Sequence, residues 1–90
     1  VTVHELKCEE PHFSDIEAGR KRFEVRFDDR DYQVGDLLYL RSLADPDAGR
    51  LRVKVIHILR GGRFGAFGVM PGYVVMSIEL MEAHDGIPDA

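Results

Sequence analysis

The chain holds one cysteine, Cys8, so no internal disulfide can form. No apolar run approaches the roughly 18 residues that cross a bilayer as a helix, and nothing reads as a membrane span. The pattern of basic start, apolar run and small-residue cleavage site is missing too, which makes a reducing cytoplasm the expected compartment. His4, His12, His57 and His84 never fall with Cys8 into the spacing of a metal-ligand pair, and neither a metal nor a cofactor is implied. A surplus of positive charge is also lacking. The formal net charge is -4, which argues against a surface built to coat duplex DNA.

What is present is enough for one domain. Ninety residues lie near the lower end of what folds alone without disulfides or metal, and 44% hydrophobic with 31% charged residues describes a globular chain. We expect a single domain over residues 1–83 and a frayed, acidic tail over 84–90, where Gly, Pro and Asp accumulate. Placement of charge matters more than its sum. Arg20, Lys21, Arg22, Arg26 and Arg30 crowd one short stretch against Glu24, Asp28 and Asp29, and such a patch on an acidic protein suits a confined anionic ligand.

Taken in order, Val3 to Cys8 alternates as a strand, with Leu6 and Cys8 opposite Glu5 and Lys7. Pro11 opens a helix of about two turns that would dock Phe13 and Ile16 and stop at Gly19. In Arg22-Phe23-Glu24-Val25-Arg26-Phe27, apolar and charged residues alternate, so one face is expected in the core (Phe23, Val25, Phe27) and the other charged. Leu37 to Leu43 is apolar on nearly both faces, as a central strand would be. The turn Asp45-Pro46-Asp47-Ala48-Gly49 then leads into Leu51 to Arg60, where alternation places Val53, Val55, His57 and Leu59 together. Gly61 to Gly68 holds four glycines and is expected to be a flexible loop or lid. Tyr73 to Met81 is the last long strand. Ile16, Leu38, Leu40 and Val75 complete the expected core. The fold class is α+β, mostly β: about five strands curling into a small barrel with one early short helix, against the alternative of an open sheet with a helix on one face.

Lys21, Glu24 and Arg26 are the residues of chemical interest. Arginine offers a planar fork to phosphate or a base edge, lysine a point charge, and glutamate an acceptor for an amino group or an anchor for the lysine. The same residues also fit a solvated strand face, with ion pairs worth about 0–1 kcal/mol each. The run Gly19-x-Lys21-x-x-Glu24-x-Arg26 resembles the G-x-K-x-x-E-x-R signature of the ASCH superfamily, whose fold is PUA-like. The ordered blocks His4-Glu5-Leu6-Lys7, Pro11-x-Phe13, Phe23 to Arg26, Asp29 to Asp36 and Gly72 to Met76 resemble its DUF3850 branch of bacterial and phage proteins. The resemblance implies a barrel with a cleft beside the helix, lined by Lys21, Glu24 and Arg26, that binds RNA or a nucleotide.

Three functions are therefore weighed. The first is a binding module for single-stranded RNA or a modified nucleotide, with Lys21, Glu24, Arg26, Lys7, Arg30, Arg63 and Phe64 as the ligand-binding set. The aromatic and basic residues of the glycine loop would stack on a base. The second is an amidohydrolase acting on a modified nucleoside. Relatives that remove an acetyl group from acetylcytidine use a lysine, a threonine nucleophile three residues on and a distant glutamate, but the position three after Lys21 is Glu24, which cannot supply the attacking hydroxyl. The third is a protein-interaction module.

Overall fold

The computed structural model describes residues 1–82, and the expected tail at 84–90 lies outside them. The chain is mostly β. Strands β1 (Val3–Cys8), β2 (Phe23–Phe27), β3 (Leu37–Ser42), β4 (Arg50–Arg60) and β5 (Tyr73–Glu82) form one sheet in the order β1-β3-β4-β5-β2, curled into a half-barrel, with the short helix α1 (His12–Glu17). β1 pairs with β3 in parallel, and the other neighbouring strands pair antiparallel. Among the described residues no helix is long and apolar enough to cross a membrane.

Local chemistry accounts for two of the junctions. The chain reverses after β3 on the expected turn, where the Asp45 carboxylate accepts from the Asp47 amide and the Ser42 hydroxyl from the Asp45 amide. Helix α1 ends in a left-handed Gly19 at φ 80°. The Gly19 amide donates to the Ile16 carbonyl at 3.0 Å and the Arg20 amide to that of Asp15 at 2.9 Å, the paired contacts that close helices at a left-handed residue. Phe13 and Ile16 are buried as the spacing predicted.

The core sits inside the curl. Leu6, Cys8, Phe13, Ile16, Tyr32, Leu38, Leu40, Leu51, Val53, Val55, Val74, Met76 and Ile78 form one buried cluster. Beside it is a buried polar pair: His4 Nε2 lies 2.9 Å from Asp36 Oδ2, and the Gln33 and Thr2 amides also donate to that carboxylate. Burial alone would raise the Asp36 pKa. The His4 ring and the two amides outweigh it and hold the carboxyl below the usual aspartate value.

Strand β2 faces the other way from the expectation. Phe23, Val25 and Phe27 are about half exposed, while Glu24 is buried at 3% exposure. Val75, opposite Val25, shares that outer side, and its neighbours Val74 and Met76 take the core positions instead. The physical reason is that alternation separates two faces without saying which is inward. Here the inward face carries the charged residues and the outer face carries an apolar stripe. Strand β4 departs from simple alternation as well. An irregularity between Val55 and His57 shifts its register against β5, so Ile58 packs on the core while Leu59 faces out.

The glycine-rich segment, expected as a flexible loop or lid, forms a short 3-10 helix over Arg63–Gly68. Gly61, just before it, is required by contact: a Cβ there would lie 1.8 Å from the Met70 carbonyl oxygen.

Strands β1 and β2 are the two ends of the strand order, and side chains span the gap between them. Arg26 Nη2 donates to the Lys7 carbonyl at 2.8 Å and Arg30 Nη1 to the Glu5 carbonyl at 3.2 Å. Carbonyls two residues apart point the same way along a strand, so the two guanidiniums sit in succession along one edge of β1.

Candidate functional site

The helix end places Lys21. Its amide donates to the Asp15 carbonyl at 3.0 Å, and the Ile78 amide donates to the Arg22 carbonyl, so the junction is pinned to α1 on one side and β5 on the other. Two residues into β2, the Glu24 side chain turns inward and only 4% of it stays exposed. Lys21 Nζ donates to Glu24 Oε1 at 2.9 Å and Arg26 Nε to Glu24 Oε2 at 2.8 Å. Each carboxylate oxygen thus has its own cation. Burying the carboxylate requires this, since an unpaired charge at such depth costs several kcal/mol.

These groups floor a cleft of about 770 Å³ beside α1, whose walls include Lys7, Cys8, His12, Phe23, Val25 and Leu43. Phe23 is 47% exposed, and Lys21 Nζ lies 5.2 Å from its ring centroid. Burial, followed by the Glu24 charge, pushes the Cys8 thiol up to about 11 against the opposing pull of Lys21 and Arg26. Cys8 is therefore a buried thiol and not an activated nucleophile.

The predicted site set divides. Lys21, Glu24, Arg26 and Lys7 line this cleft. Arg30 lies further along the β1 edge, on a neighbouring cavity that also includes Lys7 and Arg26. Arg63 lines neither cavity: the segment it belongs to links β4 to β5, beyond the Phe27 end of β2, whereas the cleft opens at the Lys21 end. Phe64 belongs to the same 3-10 helix, and its side chain lies outside the described ones. Phe23, expected in the core, is instead the aromatic group of the cleft. A signal for this exists in the sequence, because with Glu24 and Arg26 reaching into a site, their strand neighbours must face outward. Arg41 carries no such signal; its adjacency to Lys7 depends on the parallel pairing of β1 with β3, which local spacing does not encode. No group of side chains suited to a metal ion occurs among the described residues.

The fold and cleft define a small half-barrel domain with a charged, aromatic-edged pocket at its helix-strand junction. Residues 3–78 match the model of the DUF3850 family, described as a domain of unknown function, and the chain belongs to that family. A comparison with curated proteins finds no match.

Proposed function

We propose that this domain binds single-stranded RNA or a modified nucleotide in the cleft beside α1. The observation that carries the reading is the placement of a half-exposed aromatic, Phe23, against a buried carboxylate held by two cations in one concave site. A base stacks on Phe23, since every base offers a π-face. Lys21 and Arg26 use their remaining N–H groups on base or phosphate oxygens. Glu24 is too deeply buried to read an amino edge and acts as a positioning residue that fixes both cations. We read the fold as PUA-like and of the ASCH superfamily, with the Gly19-x-Lys21-x-x-Glu24-x-Arg26 run at the helix end and along the strand that floors the cleft.

The hydrolase alternative draws less support. Cys8 is the one thiol or hydroxyl nucleophile among the described residues of the cleft, and its raised pKa keeps it protonated near neutrality.

Titration of single-stranded oligoribonucleotides, nucleotides and modified nucleosides tests the reading. Phe23→Ala should weaken binding roughly fivefold to a hundredfold, the value of about 1–3 kcal/mol for one stacked base, with an unchanged circular dichroism spectrum. Failure of the wild-type chain to bind any member of the panel would reject it. Turnover of acetylated cytidine would establish the hydrolase instead.

A further inference from the structure

A second cavity of about 390 Å³ adjoins the cleft, lined by Glu5, Leu6, Lys7, Arg26, Arg30 and Arg41. Four cations meet one acid there, on a chain of formal net charge -4. The acid is already engaged, for Glu5 pairs with Arg50 at 3.3 Å. Arg26 is balanced by Glu24, and Arg30 approaches Asp29 only at 4.0 Å. Among the described residues neither Lys7 Nζ nor the Arg41 guanidinium has an ion-pair or hydrogen-bond partner. The sheet also aligns like charges: Lys7 is opposite Arg41 and Arg41 opposite Arg50, one row across three strands. Like charges directly opposite on a sheet repel and destabilise. An anion seated among the cations would relieve that repulsion.

We propose that this cavity is a phosphate subsite, taking the phosphate of a nucleotide whose base occupies the cleft; the assignment of the base rests on the reading above. Arg26 and Lys7 line both cavities, so base and phosphate share one bridging guanidinium. Arg26 and Arg30 are fixed beforehand by the Lys7 and Glu5 carbonyls, and each guanidinium has more N–H donors than those contacts use. Lys7 and Arg41 add mobile charge from the outer face.

The test compares a nucleoside, its 5′-monophosphate, inorganic phosphate, a short oligoribonucleotide and a phosphoserine peptide, on wild type and on the Arg41→Ala variant, Arg41 lining this cavity and not the cleft. Wild type should prefer the monophosphate to the nucleoside at least tenfold, and inorganic phosphate should shift the amide resonances around Lys7, Arg30 and Arg41. In the variant the preference should fall to near parity with nucleoside binding retained, and the salt dependence of oligoribonucleotide binding should flatten by about 0.7 in slope for each phosphate-neutralising cation removed. The variant should be as stable as wild type or more so, because a repulsive pair is gone. Equal wild-type affinity for nucleoside and monophosphate, or a preference that survives in the variant, would overturn the subsite. Equal affinity for the phosphoserine peptide would overturn its assignment to nucleotides. If Phe23→Ala leaves binding unchanged while the phosphate preference still depends on Arg41, the subsite stands and the base cleft falls.

Discussion

Glu24→Gln should change the sign of its effect with the state of its two partners. In the wild-type chain the carboxylate is 4% exposed and accepts one charge-assisted bond on each oxygen, at 2.9 and 2.8 Å. A bond to a charged group is worth about 1.5–3 kcal/mol. Arg26 is a quarter exposed and Lys21 is 13% exposed, so solvent screening favours the lower part of that range. Lys21→Ala or Arg26→Ala should each cost about 2 kcal/mol, because the remaining cation still neutralises Glu24. That corresponds to a fall of roughly 8–16 °C in Tm for a domain of this size. Both changes together leave a bare buried carboxylate and should exceed the sum of the singles. Glu24→Gln should then destabilise the wild type and stabilise the double variant. Urea titration of the five chains, with circular dichroism as the probe, measures the cycle. The same sign for Glu24→Gln in both backgrounds would refute a carboxylate buried on the strength of its cations. Alanine at 21 or 26 therefore lowers stability as well, and binding losses in those variants need a stability control.

Other positions give simpler tests. Val25→Thr, on the outer face, should move stability by less than about 0.5 kcal/mol, whereas Leu40→Ala in the core should cost about 2–5 kcal/mol in the same denaturation assay. Gly61→Ala must displace the Met70 carbonyl and should cost about 1–3 kcal/mol, read from its thermal midpoint. Because the Asp36 pKa is lowered on folding, its contribution is present above the unfolded value and is lost as pH falls below about 4. Asp36→Asn should flatten the stability profile in that window. With its thiol raised to about 11, Cys8 should resist iodoacetamide at pH 8 in the folded chain and react once urea unfolds it.

Much of the architecture is legible in the residues themselves. The helix with Phe13 and Ile16, the stop at Gly19, the hairpin at Pro46 and the succession of strands along the chain all follow from local signals. The inward face of β2 does not. Its alternation is regular, but the partner strand β5 is apolar on both faces, so the hydrophobic pattern does not decide whether Glu24 or Val25 turns inward; the one cue is that Glu24 and Arg26 must reach a site. The bulge in β4 is equally silent, since Ile56, Ile58 and Leu59 are all acceptable at either parity. The cluster of Lys21, Glu24 and Arg26 is visible as a motif. Its depth, and the pairing of His4 with Asp36 across the chain, are not, because both depend on contacts between distant segments.

The seam between β1 and β2 has a consequence for association. An unpaired strand offers a ladder of donors and acceptors onto which a foreign strand can add, the usual start of sheet-to-sheet aggregation. In β1 the Glu5 and Lys7 carbonyls on that side are already taken by the Arg30 and Arg26 guanidiniums. An incoming strand would have to displace two charged groups and meet Lys7 and Arg41 behind them. The arginines therefore shield this edge as well as shape the groove, and light scattering of an Arg26→Met/Arg30→Met chain should show more self-association than the parent at equal concentration.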